Sequence, residues 1–117
     1  MRAVLLALFL CACGGPSTQP SNETALVLQV NYTVSEIDNW HITGVVLPGG
    51  RAFGPYDAHS NISSGETIGL VFDASDAGTA MVCVEGRDGS TARASACDMF
   101  EIRANEVSQG SITLQHI

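Results

Sequence analysis

Asp57, His59 and Ser60 lie close together in the stretch GPYDAHSN, residues 54–61. An acid, an imidazole and a hydroxyl are the components of a hydrolytic triad. A triad, however, needs its partners oriented across the fold, and no G-x-S-x-G elbow accompanies these residues. Adjacent polar groups in a segment rich in turn formers read as solvated loop polarity, and the chain is expected not to be an enzyme. A small hydrolase built on Asp57 and His59 is the rival reading. Tyr56 gives the same stretch a different chemistry, because an aromatic ring beside polar groups stacks on sugars or anchors a protein partner. Tyr56, Asp57 and His59 are therefore the candidate ligand-binding loop, for a protein or carbohydrate ligand.

Two other groups of residues carry chemistry. DASDAG, residues 73–78, offers hard oxygen ligands in Asp73, Ser75 and Asp76. It lacks the alternating ligand spacing and the distal bidentate glutamate of a calcium loop, so it reads as a turn between strands in which Asp and Ser bond their own backbone. Cys83 and Cys97 lack the C-x-x-C spacing of redox and zinc sites. No metal and no cofactor is expected.

The charge balance removes several function classes. The 117 residues carry 12 acidic side chains against 5 basic ones, a net charge of -7, and every basic residue is an arginine. Without lysine there is no P-loop lysine, no Schiff base and no Ser-x-x-Lys pair. An acidic surface repels phosphate backbones and anionic headgroups, so neither nucleic acid nor a membrane bound through a basic patch is an expected partner.

The N-terminus reads MRAVLLALFLCACGG. Arg2 followed by the apolar run 3–10 is a signal segment, far too short for the roughly 20 residues of a membrane span. Its end, Leu10-Cys11-Ala12-Cys13-Gly14, resembles the lipobox of bacterial lipoproteins. The resemblance implies a diacylglyceryl group on the Cys13 thiol and cleavage between Ala12 and Cys13. Cys11 departs from the usual small residue at its position, and taking it as the anchor would put bulky Leu10 directly before the cut. With Gly14 rather than aspartate after the cysteine, the resemblance favours the outer membrane. It implies a protein of the bacterial envelope whose first partner is the lipid bilayer, held through acylated Cys13 with no need for protein hydrophobic surface. An ordinary secreted, soluble domain is the alternative.

The elements that must position the loop follow a tether. The resemblance implies that residues 1–12 form the signal peptide and 13–23 the lipidated cysteine and tether. GGPSTQPSNE has no large apolar residue and, fully extended, spans roughly 30 Å. The domain, 24–117, shows strand periodicity and no helical stripe. TALVLQVNYTV puts Leu26, Leu28, Val30, Tyr32 and Val34 on one face. WHITGVVL starts with Trp40 and Ile42 inward and is expected to change phase at Gly44, through a bulge, so that Val45 and Leu47 follow. ETIGLVFD offers Ile68, Leu70 and Phe72, and TAMVCVEG offers Ala80, Val82 and Val84. ARASAC, MFEIR and SITLQHI complete the set, with Phe100, Ile102, Ile112 and Leu114 inward. About seven short strands at roughly 10-residue spacing predict an all-β fold, a single antiparallel β-sandwich of immunoglobulin-like or transthyretin-like shape.

In an exported chain Cys83 and Cys97 are expected to pair as a disulfide on the outward side of two neighbouring strands. That pairing keeps Val84 and Ala96 together on the core side. It is incompatible with a simple two-residue Asp88-Gly89 hairpin, so the turn is expected to be longer or followed by a bulge.

Overall fold

The computed structural model describes residues 5–7 and 23–117. Strand β1 is Leu5–Ala7, followed by β2 Thr24–Asn31, β3 Asn39–Leu47, β4 Arg51–Ala58 and β5 Thr67–Phe72. A 3-10 turn, Ala74–Asp76, precedes β6 Gly78–Asp88, β7 Thr91–Ile102, β8 Val107–Thr113 and β9 Gln115–His116. The strands form two sheets, ordered β1-β5-β2-β8 and β4-β3-β6-β7-β9. This is the all-β sandwich that the alternation predicts. β2 and β8 run parallel, and the other pairs are antiparallel. In an immunoglobulin sandwich the first two strands of the domain are neighbours in one sheet. Here β2 and β3 lie in different sheets, and β2 sits between β5 and β8.

The inward faces are those the periodicity marks. Leu26, Leu28, Val30, Ile68, Leu70 and Phe72 from one sheet meet Trp40, Ile42, Ala80, Val82 and Val84 from the other, all buried. Ile102, Ile112 and Leu114 are buried as well, while Tyr32, Val34 and Phe100 are partly buried against the core. Edge-to-face ring pairs, Tyr32 with Trp40 at 6.4 Å and Phe53 with Phe72 at 5.5 Å, cross-link the layers. Such pairs add about 0.5–1.5 kcal/mol each to the burial of their area.

The expected phase change in β3 does not occur. Gly44 and Val46 are buried, whereas Val45 and Leu47 lie on the half-exposed side, so the strand keeps one alternation from Trp40 to Leu47. The irregularity is in the pairing with β4, between Ile42 and Gly44. Its physical reason is Phe53: a Cβ on Gly44 would lie 2.2 Å from the Phe53 ring and 2.5 Å from the Met81 carbonyl oxygen. Gly44 is a slot for that ring, and the extra residue belongs to β4, where Gly54 has a φ of +86°. Residues 51–58, which composition marks as loop, are this edge strand.

The β6–β7 hairpin agrees with the cysteine reasoning. Cys83 lies opposite Cys97 and Val84 opposite Ala96, and the register shifts between Gly86 and Arg87. Asp88 faces Thr91, so the two-residue turn is Gly89-Ser90, and a bulge then restores the pairing that the cysteines need. The Cys83–Cys97 disulfide is present, with its Cα atoms 4.0 Å apart. The segments ARASAC and MFEIR are one continuous strand, β7.

Candidate functional site

Strand registers bring the notable polar groups to one end of the sandwich. Asn39 begins β3 opposite Arg87, and His41 pairs across the ladder with Asp57 near the end of β4. The Gly89-Ser90 turn closes over the same end. Together Asp38, Asn39, Asp57, His59, Arg87 and Ser90 help line an open cleft of about 570 Å³.

The cleft floor is tied together internally. Asn39, itself buried, donates from Nδ2 to Asp38 Oδ1 at 2.7 Å and to the Gly89 carbonyl at 3.0 Å. The Gly89 N–H donates to the same Asp38 oxygen at 3.1 Å. These bonds favour the ionised form, so the Asn39 amide first, then the Gly89 N–H and the nearby His59, hold the Asp38 carboxyl below the ordinary aspartate range. His41 Nδ1 lies 2.9 Å from Asp57 Oδ1, which fixes the Asp57 carboxylate against β3. Arg87 contacts Glu85 Oε1 at 2.7 Å. The result is a hydrogen-bonded rim of mixed charge whose lining also includes exposed His59 and Ser90.

Of the loop residues singled out by sequence, Asp57 and His59 line this cleft. Tyr56 does not; it is half-buried against the core, and desolvation pushes its phenol above the ordinary value. Ser60 is exposed and outside the cleft lining. Asp38, Asn39, His41, Arg87 and Ser90 join the site through strand register, which no local spacing encodes. The one usable local signal is the Asp-Asn pair before Trp40, turn-forming residues at the start of a strand.

The DASDAG segment is at the opposite end. Asp76 is buried, its Oδ1 is 3.3 Å from Arg51 Nη1, and its N–H donates to the Asp73 carbonyl at 2.9 Å. The Asp76 Oδ2 atom has no hydrogen-bond partner. Among the described residues no group of three or more His, Cys, Asp or Glu side chains is placed to hold a metal ion. No described helix is long and apolar enough to cross a membrane. Cys13 and its flanking residues lie outside the described residues. No family model, curated protein or solved structure matches the chain.

Proposed function

We propose that this chain is a lipid-anchored β-sandwich of the bacterial envelope, acting as a non-enzymatic binding or structural accessory through its loops. The observation that supports the reading is that Thr24, where the described domain starts, and the cleft lie at opposite ends of β2. β2 starts at Thr24, beside Phe72 and next to the 103–106 turn, where Asn105 N–H donates to Thr24 Oγ1 at 2.8 Å. It ends at Asn31, where Tyr32 packs on Trp40, the residue after the cleft's Asn39. The eight residues of β2 therefore separate the two poles by roughly 26 Å.

A domain attached through the segment before Thr24 presents the cleft away from the bilayer, with the tether adding reach. Export also accounts for the cystine, since disulfides persist outside the reducing cytosol. The mixed polar lining suits a hydroxyl-rich or peptide ligand better than a nucleic acid, which the net charge of -7 repels. Cleavage before Cys13 would remove Leu5–Ala7, which pairs with β5, and would leave the sandwich with eight strands.

The deciding experiment is the mass of the mature N-terminal peptide from the membrane fraction of cells expressing the full chain. A peptide starting at Cys13 and carrying acyl mass is the expected result. An unmodified peptide in the soluble fraction would replace the anchor with ordinary secretion.

A further inference from the structure

We infer that Met81, Cys83, Cys97 and Met99 form a thiol-gated site for one soft monovalent cation, copper(I), on the outer face of the β4-β3-β6-β7-β9 sheet. The hairpin register sets two sulfur pairs on that face: Met81 lies opposite Met99, and Cys83 opposite Cys97. Met81 and Cys83 alternate along β6 with the inward Ala80, Val82 and Val84, so both pairs point outward. The cysteine Cα atoms are 4.0 Å apart, the spacing of a close, non-hydrogen-bonded pair. The methionine pair, two residues along, is of the same kind, and side chains at such positions stand nearest to one another. The separation of 14 residues hides this set from any local metal motif, and the strand register assembles it.

The core makes the placement informative. Cys and Met are among the residue types most often buried, yet no buried core residue of this sandwich is either. Among the described residues these four are the only cysteines and methionines, and all four meet in one patch on the solvent side. Met99 is 54% exposed, Cys97 is exposed, and Met81 and Cys83 are half-buried. A structural cystine accounts for two of the sulfurs. Packing does not account for the other two, since Met99 stands mostly in water. Soft thiolate and thioether ligands select soft ions, and a set with two thioethers suits copper(I), because structural zinc takes Cys, His or carboxylate. Methionine, unbranched and with three rotatable bonds, adapts to an ion held between the cysteines. Thr43 and Val45 of β3 flank the set on one side. On the other, β9 pairs only with Ala94 and Ser95, so Cys97 and Met99 stand at a sheet edge open for entry.

The Cys83–Cys97 disulfide is the closed state, and a dithiol reductant opens it. The sulfur–sulfur bond breaks, taking up two electrons and two protons to give two thiols, while the reductant becomes its own disulfide. Copper(I) then displaces both thiol protons and binds between the thiolates. The thioether sulfurs of Met81 and Met99 complete the set, and the oxidation state of the metal does not change. Oxidation of the pair back to the disulfide, by any acceptor of two electrons such as another disulfide, removes both thiolates and releases the ion. The buried Val82 and Val84 keep the hairpin in register in either state. A net charge of -7 draws a cation to the surface.

The test uses the full chain carrying Cys11→Ser and Cys13→Ser, so that Cys83 and Cys97 supply the only thiols. It is reduced with a dithiol, freed of the reductant under nitrogen, and titrated with copper(I) against a chromophoric chelator while the methionine methyl carbons are followed by NMR. The expected result is one copper(I) per chain, shifts in the methyl signals of both Met81 and Met99, and a melting temperature that rises as metal binds. The oxidised chain should bind about tenfold or more weakly. So should the reduced chain with Met81→Leu and Met99→Leu, which keeps both cysteines and close to the same side-chain volume. Copper(I) held equally well by the leucine variant would overturn the inference and leave a bare dithiol, the result also given by a reduced chain that unfolds. Methionine methyls that do not shift, or an oxidised chain that binds as tightly as the reduced one, would overturn it as well.

Discussion

At the scale of single residues, glycine and aspartate carry the sharpest consequences. Gly44 is the slot that admits the Phe53 ring, and a methyl group there would meet both that ring and the Met81 carbonyl. Overpacking of this kind costs about 1–3 kcal/mol. Gly44→Ala should therefore lower the melting temperature by several degrees, while Gly49→Ala, with nothing within 4 Å of its Cβ position, should leave it nearly unchanged. Thermal unfolding followed by circular dichroism compares the two. Asp38 makes a different prediction. Asn39 and Gly89 depress its folded pKa below the unfolded value, so its contribution to stability is present above about pH 4 and is lost as pH falls through the folded pKa. The stability gap between wild type and Asp38→Asn should be open at pH 7 and close in strong acid. A gap that is constant with pH would mean that the bonds from Asn39 and Gly89 do not favour the ionised carboxylate.

At the scale of elements, the β6–β7 hairpin is held by both its register and its cystine. A disulfide closing a separation of 14 residues contributes about 3 kcal/mol by restricting the unfolded chain. Cys83→Ser with Cys97→Ser should lower the urea midpoint by that amount divided by the denaturant slope. Folding should survive, because the inward residues Val82, Val84 and Ala96 are untouched. The same hairpin shows why part of this architecture can be read in the sequence. A period of two residues determines the face of every side chain, so Leu26, Leu28 and Val30 or Ala80, Val82 and Val84 could be placed inward without coordinates. The cysteine pair, once joined, also ruled out a simple Asp88-Gly89 turn and left a longer turn or a bulge, of which the structure has the bulge, between Gly86 and Arg87. What periodicity misses is anything set by a neighbouring strand. β4 contains Gly54 and Pro55 and reads as loop, yet it pairs with β3 because Phe53 finds room over Gly44. The cleft was half legible for the same reason. Asp57 and His59 are local to one segment, whereas Asp38, Arg87 and Ser90 come from about 20 to 33 positions away and meet them only through the β3–β6 register.

At the scale of the whole molecule, the polarity of the sandwich turns an anchoring hypothesis into a measurable orientation. The pole at Thr24 also holds Asp76 with Arg51 and the turn around Gly49, since Asp76 follows Phe72, the partner of Thr24. The other pole holds Ser90 and His59. With the proposed anchor at Cys13, the attachment reaches the domain at Thr24, so the first pole is expected to face the bilayer on average. Variants with one added free thiol, Gly49→Cys and Ser90→Cys, labelled with a small fluorophore on the lipid-anchored chain in vesicles with the Cys83–Cys97 disulfide intact, should then differ in quenching by a headgroup-attached quencher. The Gly49 label should be quenched more strongly. Equal quenching would mean that the tether lets the domain tumble freely, in which case the cleft has no privileged outward direction. Stronger quenching at Ser90 would place the cleft against the membrane and make a lipid headgroup, rather than a partner beyond the envelope surface, the ligand to test first.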